Sequence, residues 1–308
     1  MQRQPITFNK ILFPVDFSTL SYKTAGFVRE IANHYGAEVH LLHVVDSTVP
    51  AAWQLAAIQP ETAAGFWLDV GLRAQSPAQA WLDHKEQAQQ QLHDFLPEHW
   101  NALRLRICVL EGEPSAQILA YAKEQNIDLI MMPTHGLGRF RRFLLGSVAA
   151  KVLHDASCHV WTDAHFAEDP NQQSTVPRHI LCAVDLSPHS VDLIAWTLAF
   201  AKQWNAEVRL VHAVPAAEHV PGQPDDNFTH FLVDDAKKNM EKLQRRLNLD
   251  LNACVMGGDI SGVIREAAIR NQADVIVLGK QEDHGYMGRL RAHGYNIVRD
   301  APCPVVRM

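Results

Sequence analysis

"KILFPVDFS" at residues 10–18 returns almost intact as "HILCAVDLS" at residues 179–187, and the reading of this pair decides the fold. Ile11 to Val15 is a short, continuously apolar run of the kind buried on both faces of a parallel sheet. The segment after it takes Ser18 or Thr19 as a cap, sets Ala25, Val28, Ile31 and Ala32 at helical spacing, and stops at Gly36. The pattern is a strand followed by a helix, met twice.

Working outward, "AEVHLLHVV" at 37–45 returns as "AEVRLVHAV" at 206–214 with the same offset of 169. Further along, "GEPSAQIL" at 112, "IDLIMM" at 127 and "DASCHVW" at 155 return as "GDISGVIR" at 258, "ADVIVL" at 273 and "DAPCPVV" at 300, with offsets of 145 or 146. The second copy is therefore about 23 residues shorter between its second strand and its third helix. The first copy spends that length on residues 47–77, an insert that carries Trp53, Phe66 and Trp67. Between the copies, "EDPNQQSTVPR" at 168–178 has the Pro, Asn, Gln and Ser content of an exposed linker. The expected division is 1–167, a linker at 168–178, and 179–308.

Each copy alternates strand-like and helix-like patterns. In the first, Val39 to Val45, Leu103 to Leu110, 129–132 and 159–162 read as further strands, and Pro114 and Ser147 open helices. A helix between the second and third strands has Trp81, Ala88, Leu92 and Phe95 on one face; its counterpart carries Leu232, Ala236, Met240, Leu243 and Leu247. The fold class is α/β: two tandem flavodoxin- or Rossmann-like doubly wound domains, each with a five-stranded, parallel-type sheet. Such sheets bind ligands where strand order reverses, at the carboxyl ends of the strands. That places Asp16 and the loop from residue 133 beside one crevice, and Asp185 with the loop from 279 beside the other.

Composition narrows the function classes. A net charge of −6 with 20% charged residues does not suit a nucleic-acid binder. No stretch approaches the roughly 20 apolar residues of a membrane span, and "MQRQPITFNK" lacks the apolar core of a signal peptide. Cys108, Cys158, Cys182, Cys254 and Cys303 are scattered through apolar runs without a CxxC pair, which fits reduced thiols in a cytoplasm. Seventeen histidines form no pairing at a usual metal-ligand spacing, so no metal site is expected from the protein alone. His43 and His212 hold equivalent places in the second strands, which argues for a repeated packing role.

The loop "PTHGLGRFRRFLLGSVAAKVL" at 133–153 carries the chemistry. Gly136 and Gly146 let the backbone approach an anion, and Ser147 begins a helix whose free N–H groups and positive dipole end favour phosphate. Arg139, Arg141 and Arg142 add positive charge suited to phosphate oxygens, or else form a solvated face. Neither a G-x-S-x-G elbow nor a P-loop Gly-Lys-Ser/Thr is present, and no catalytic residue is assigned.

Together, "ILFPVDFS", "LLHVVD" and this loop resemble the universal stress protein family, and the repeat resembles its tandem form. The family's nucleotide signature, Gly-x2-Gly-x9-Gly-Ser/Thr, is matched at Gly136 and at Gly146-Ser147, whereas Pro133 stands where the family usually has Gly. The resemblance implies that Asp16 holds an adenine, that Val44 lines the base or ribose pocket, and that Met132 contacts the nucleotide. It also implies that Gly136, Gly146, Ser147 and Val148 cradle ribose and phosphates. Pro133 stiffens the loop and removes one N–H from it. The implied protein is a cytoplasmic stress or signalling module binding ATP, with or without magnesium, with slow hydrolysis or self-phosphorylation at Ser147 as an open option. Family members pair domains through their last strands, so "CHVWTDAH" and "CPVVRM" would join the copies into an intramolecular pseudo-dimer, and two chains could pair again. The alternative is a protein-interaction or small-ligand scaffold with a vestigial nucleotide site.

The second copy departs from the signature. Gly279 fits its opening position, but Glu282 replaces the next glycine and the Gly-Ser step has become Gly294-Tyr295, two residues out of register. Glu282 and Asp283 would repel phosphate, so this copy is expected to have lost triphosphate binding although Asp185 remains.

Overall fold

The computed structural model describes the backbone of residues 5–45, 77–95, 100, 102–135, 145–163, 176–215, 226–280 and 288–308, and the side chains of all of these but 77–84, 226–227 and 288–293. The 47–77 insert, the arginines of the basic loop, Gly136, Glu282, Asp283 and most of the linker lie outside the described side chains.

In the first copy β1 (Lys10–Pro14), α1 (Thr19–Tyr35), β2 (Glu38–Val45), α2 (Pro77–Phe95), β3 (Arg104–Glu111), α3 (Pro114–Glu124), β4 (Leu129–Met132), α4 (Ser147–Asp155) and β5 (His159–Thr162) follow in turn. The second copy repeats the order with β6 (His179–Ala183), α5 (Ser190–Trp204), β7 (Glu207–Pro215), α6 (Asp226–Leu247), β8 (Ala253–Gly258), α7 (Ile260–Arg270), β9 (Val275–Leu278), α8 (Gly288–Asp300) and β10 (Val305–Arg307).

Local chemistry sets the boundaries. The Ser18 hydroxyl accepts the Ser21 N–H and caps α1, and Gly36, at φ 62°, ends it in the left-handed conformation that glycine adopts without a Cβ penalty. Glu113 caps α3 through the N–H groups of Ser115 and Ala116, with Pro114 in the first turn, where its missing N–H costs nothing. The Ser115 hydroxyl also donates to Glu113 at 2.7 Å, and this bond, with the two from the N–H groups, holds the carboxyl down at about 2.

All strands within a copy run parallel, in the orders β3-β2-β1-β4-β5 and β9-β6-β7-β8 with β10 outside β9. The two sheets are not separate. β5 and β10 pair antiparallel, Val305 opposite Thr162 and Arg307 opposite Val160, and fuse them into one ten-stranded sheet. Pairing these two short edge strands removes an exposed edge from each copy.

Two apolar layers cover the sheet and run across the join. One packs α1, α2, α5 and α6 through Val28, Leu92, Phe200 and Met240; the other packs α3, α4, α7 and α8 through Ile118, Val152, Ile264 and Val298. Ile11, Leu12 and Phe13 are fully buried, which explains the continuous apolar run, since β1 lies between two strands and under helices on both faces. At the join, His34 stacks on Trp204 with ring centroids 3.8 Å apart, and the Tyr35 hydroxyl donates to Gln203 at 2.6 Å. Gln203 in turn donates to the Ile6 carbonyl at 2.7 Å.

Candidate functional site

β1 is flanked by β2 and β4, so the chain leaves it at the point where strand order reverses. Val15 extends the ladder by donating its N–H to the Leu42 carbonyl at 2.8 Å, and Asp16 follows at once. Its Oδ1 accepts the Ser18 N–H at 3.0 Å and the Ser21 hydroxyl at 2.6 Å. Phe17 between them takes φ 59°, the left-handed conformation that folds the carboxylate back on the helix start. Asp16 is half-buried and held against the start of α1.

His43 completes this turn. Its Nδ1–H donates to the Val15 carbonyl at 2.7 Å, and because a carbonyl can only accept, that nitrogen carries the proton. The same arrangement recurs in the second copy. His212 Nδ1 donates to the Val184 carbonyl at 2.8 Å, Asp185 Oδ1 accepts the Ser187 N–H at 3.0 Å and the Ser190 hydroxyl at 2.8 Å, and Leu186 has φ 59°. Burial alone would raise the Asp185 carboxyl, but the bonds from Ser187 and Ser190 outweigh it and hold the group below its ordinary value. The equivalent histidines thus do the repeated structural work that their spacing suggests.

Across the crevice, β4 ends at Met132, and Pro133 and Thr134 are buried behind it. The Thr134 carbonyl accepts the Gly146 N–H at 2.8 Å, which draws the far end of the basic loop back to the strand. Gly146 is the N-cap of α4 with no side-chain cap, at φ −62° and ψ 146°. That conformation is open to any residue, so its glycine answers to space: a Cβ would stand 3.2 Å from the Thr134 oxygen and 3.3 Å from the His135 Cα. The first intrahelical bond runs from the Ala150 N–H to the Gly146 carbonyl at 2.8 Å. The amides of Ser147, Val148 and Ala149 therefore have no partner within the helix, and the positive dipole end adds to them.

Val44, Met132 and Val148 all pack into the α3 and α4 apolar layer, which puts them on one side of the sheet with Leu145 and Ala149. The structure thus groups Asp16, Val44, Met132, Pro133, Gly146, Ser147 and Val148 around the carboxyl ends of β1, β2 and β4; Gly136 lies outside the described residues. Sequence reasoning passed over His135. Burial lowers its pKa, and the Asp16 carboxylate works the other way. Its place three residues after the apolar strand was the available signal.

The second crevice is built differently. Aligned at their shared last residues, Asp155 and Asp300, α4 has 9 residues and α8 has 13. The extra turn lies at the amino end of α8, so the amides of residues 292–294, which correspond to those of Ser147, Val148 and Ala149, face carbonyls within the helix.

Comparison with known proteins agrees with this architecture. The model of the universal stress protein family matches residues 7–162 and again 177–307. Universal stress protein MJ0531 of Methanocaldococcus jannaschii is 31% identical over 155 residues, covering 50% of this chain and 80% of that protein. Universal stress protein YxiE of Bacillus subtilis is 28% identical over 163 residues, covering 50% and 97%. Among solved structures, a universal stress protein from Archaeoglobus fulgidus superposes with a TM-score of 0.64 at 18% identity, over 98% of this chain and 96% of that one. With both halves matched, the chain belongs to the universal stress protein family and carries two of its domains in tandem.

Proposed function

We propose that the N-terminal copy, drawn as residues 1–167, binds ATP or a related adenine nucleotide and that the protein works as a cytoplasmic stress or signalling module. The observation that carries this reading is the open amino end of α4, where Gly146 makes room at the cap and three amides have no helical partner, set beside Asp16. Asp16 supplies a fixed acceptor for the exocyclic amine of the base. Val44 and Met132 offer apolar surface to the ring and sugar, and the amides of Ser147 and Val148 meet the phosphates, with or without magnesium. The copy drawn as 179–308 keeps the acceptor but not the anion end. The five cysteines are all free thiols, in keeping with a reducing compartment.

A thermal shift titration tests the reading. Millimolar ATP should raise the melting temperature, since ligand at 100 times Kd stabilises by about 2.7 kcal/mol. Gly146→Arg should abolish the shift, because the side chain fills the cradle. Wild-type protein that shows no shift would overturn the assignment.

A further inference from the structure

We propose that Tyr295, in the second copy, is a positioning residue for the anion end of the first copy's site. The Tyr295 hydroxyl donates to the Leu145 carbonyl at 3.2 Å, across 150 residues of sequence. That carbonyl and the Gly146 N–H are the two ends of one peptide unit, and the N–H is held from the opposite side by the Thr134 carbonyl at 2.8 Å. A peptide plane gripped at both ends cannot rotate about its neighbouring bonds, and this plane leads directly into the amides of Ser147 and Val148. One grip belongs to the first copy and the other to the second.

The other end of α4 is held by the same copy. Ala156, its C-cap, presents a carbonyl that accepts from Arg307 at 2.8 Å and from Lys280 at 3.4 Å, two cations at the negative end of the helix dipole. Helix α4 is thus fixed at its amino end by Tyr295 and at its carboxyl end by Arg307 and Lys280. Tyr295 belongs to the Gly294-Tyr295 step, where the second copy departs from its own signature. The residue that departs there serves the neighbour's loop, and the second copy is part of the first copy's site. Because coupling between sites is reciprocal, a ligand at the first crevice also tightens the contact between copies.

This inference rests on the nucleotide reading for its ligand but not for its geometry, and the full-length chain carrying Tyr295→Phe separates the two. Binding of ATP and of uncharged adenosine is measured by calorimetry, and amide exchange at Gly146 and Ala150 is followed in the ligand-free protein. Loss of one hydroxyl should weaken ATP about threefold to tenfold, leave adenosine within about twofold, and speed exchange at both amides, the scale of one hydrogen bond. Equal losses for ATP and adenosine would mark Tyr295 as merely structural and overturn the proposal. So would unchanged exchange together with unchanged ATP affinity. Should the wild type bind no ATP, the nucleotide reading fails by itself, and the exchange rates alone decide: faster exchange in the variant upholds the brace, and identical rates overturn it.

Discussion

The two crevices begin alike and end differently. Both set an aspartate after the first strand, fold it back through a residue at φ 59°, bond it to the N–H two residues on and to a serine hydroxyl five residues on, and pin the strand end with a histidine Nδ1. On the opposite wall, α4 starts at a bare glycine cap, whereas α8 starts a turn earlier. The side of each crevice made by β1 or β6 therefore has a structural role of its own, since the second copy, whose opposite wall differs, still retains all of it. On the proposed reading the anion end is free to change because only a ligand requires it.

The largest contrast should come from the carboxylates. Asp16→Ala is expected to weaken ATP by tenfold or more, about 1.4 kcal/mol or above, while Asp185→Ala leaves the affinity unchanged. Each variant should lose about 1 kcal/mol of stability in denaturant unfolding, because each turn loses the same two bonds. If the two variants weakened ATP equally, the copies would not be functionally distinct.

The histidines sharpen the same comparison at a smaller scale. His43→Phe and His212→Phe should each cost about 1 kcal/mol, since each leaves a carbonyl without its donor. Only His43→Phe should also weaken ATP, by a few-fold, because the proposed nucleotide site lies at that strand end alone. Equal effects on binding would place the second crevice back in use.

The smallest effect concerns acid stability. The folded Glu113 carboxyl sits at about 2 against an ordinary 4.5, so its contribution is present above pH 4.5 and is lost as pH falls toward 2. Glu113 is largely solvated, so Glu113→Gln should cost no more than about 0.5–1 kcal/mol at neutral pH, in the range of a helix cap discounted for screening. The difference from wild type should vanish near pH 2. A difference that persists there would assign the loss to packing instead.

Much of this was legible in the chain. The repeat gave the strand and helix order because both copies bury the same faces, and the start of α4 at Ser147 was readable from the Gly-Ser step and the apolar spacing behind it. Asp16 was readable because a carboxylate directly after a doubly buried strand has nowhere to go but the crevice. Three features were not. The pairing of β5 with β10 came only from the family resemblance, and its antiparallel direction only from the structure, since a four-residue apolar strand reads the same whether it ends a sheet or bridges two. His135 was hidden among the more conspicuous glycines and arginines of its loop. Tyr295 looked like a loss in its own copy, and its bond to Leu145 follows from the docking of two halves, which no local pattern encodes.

The most direct measurement is a structure of the full-length protein soaked with ATP, with calorimetry for the stoichiometry. The account predicts one nucleotide per chain, its base beside Asp16 and its phosphates at the amides of Ser147 and Val148, with nothing at Asp185. Two nucleotides per chain, or one seated at Asp185, would contradict it.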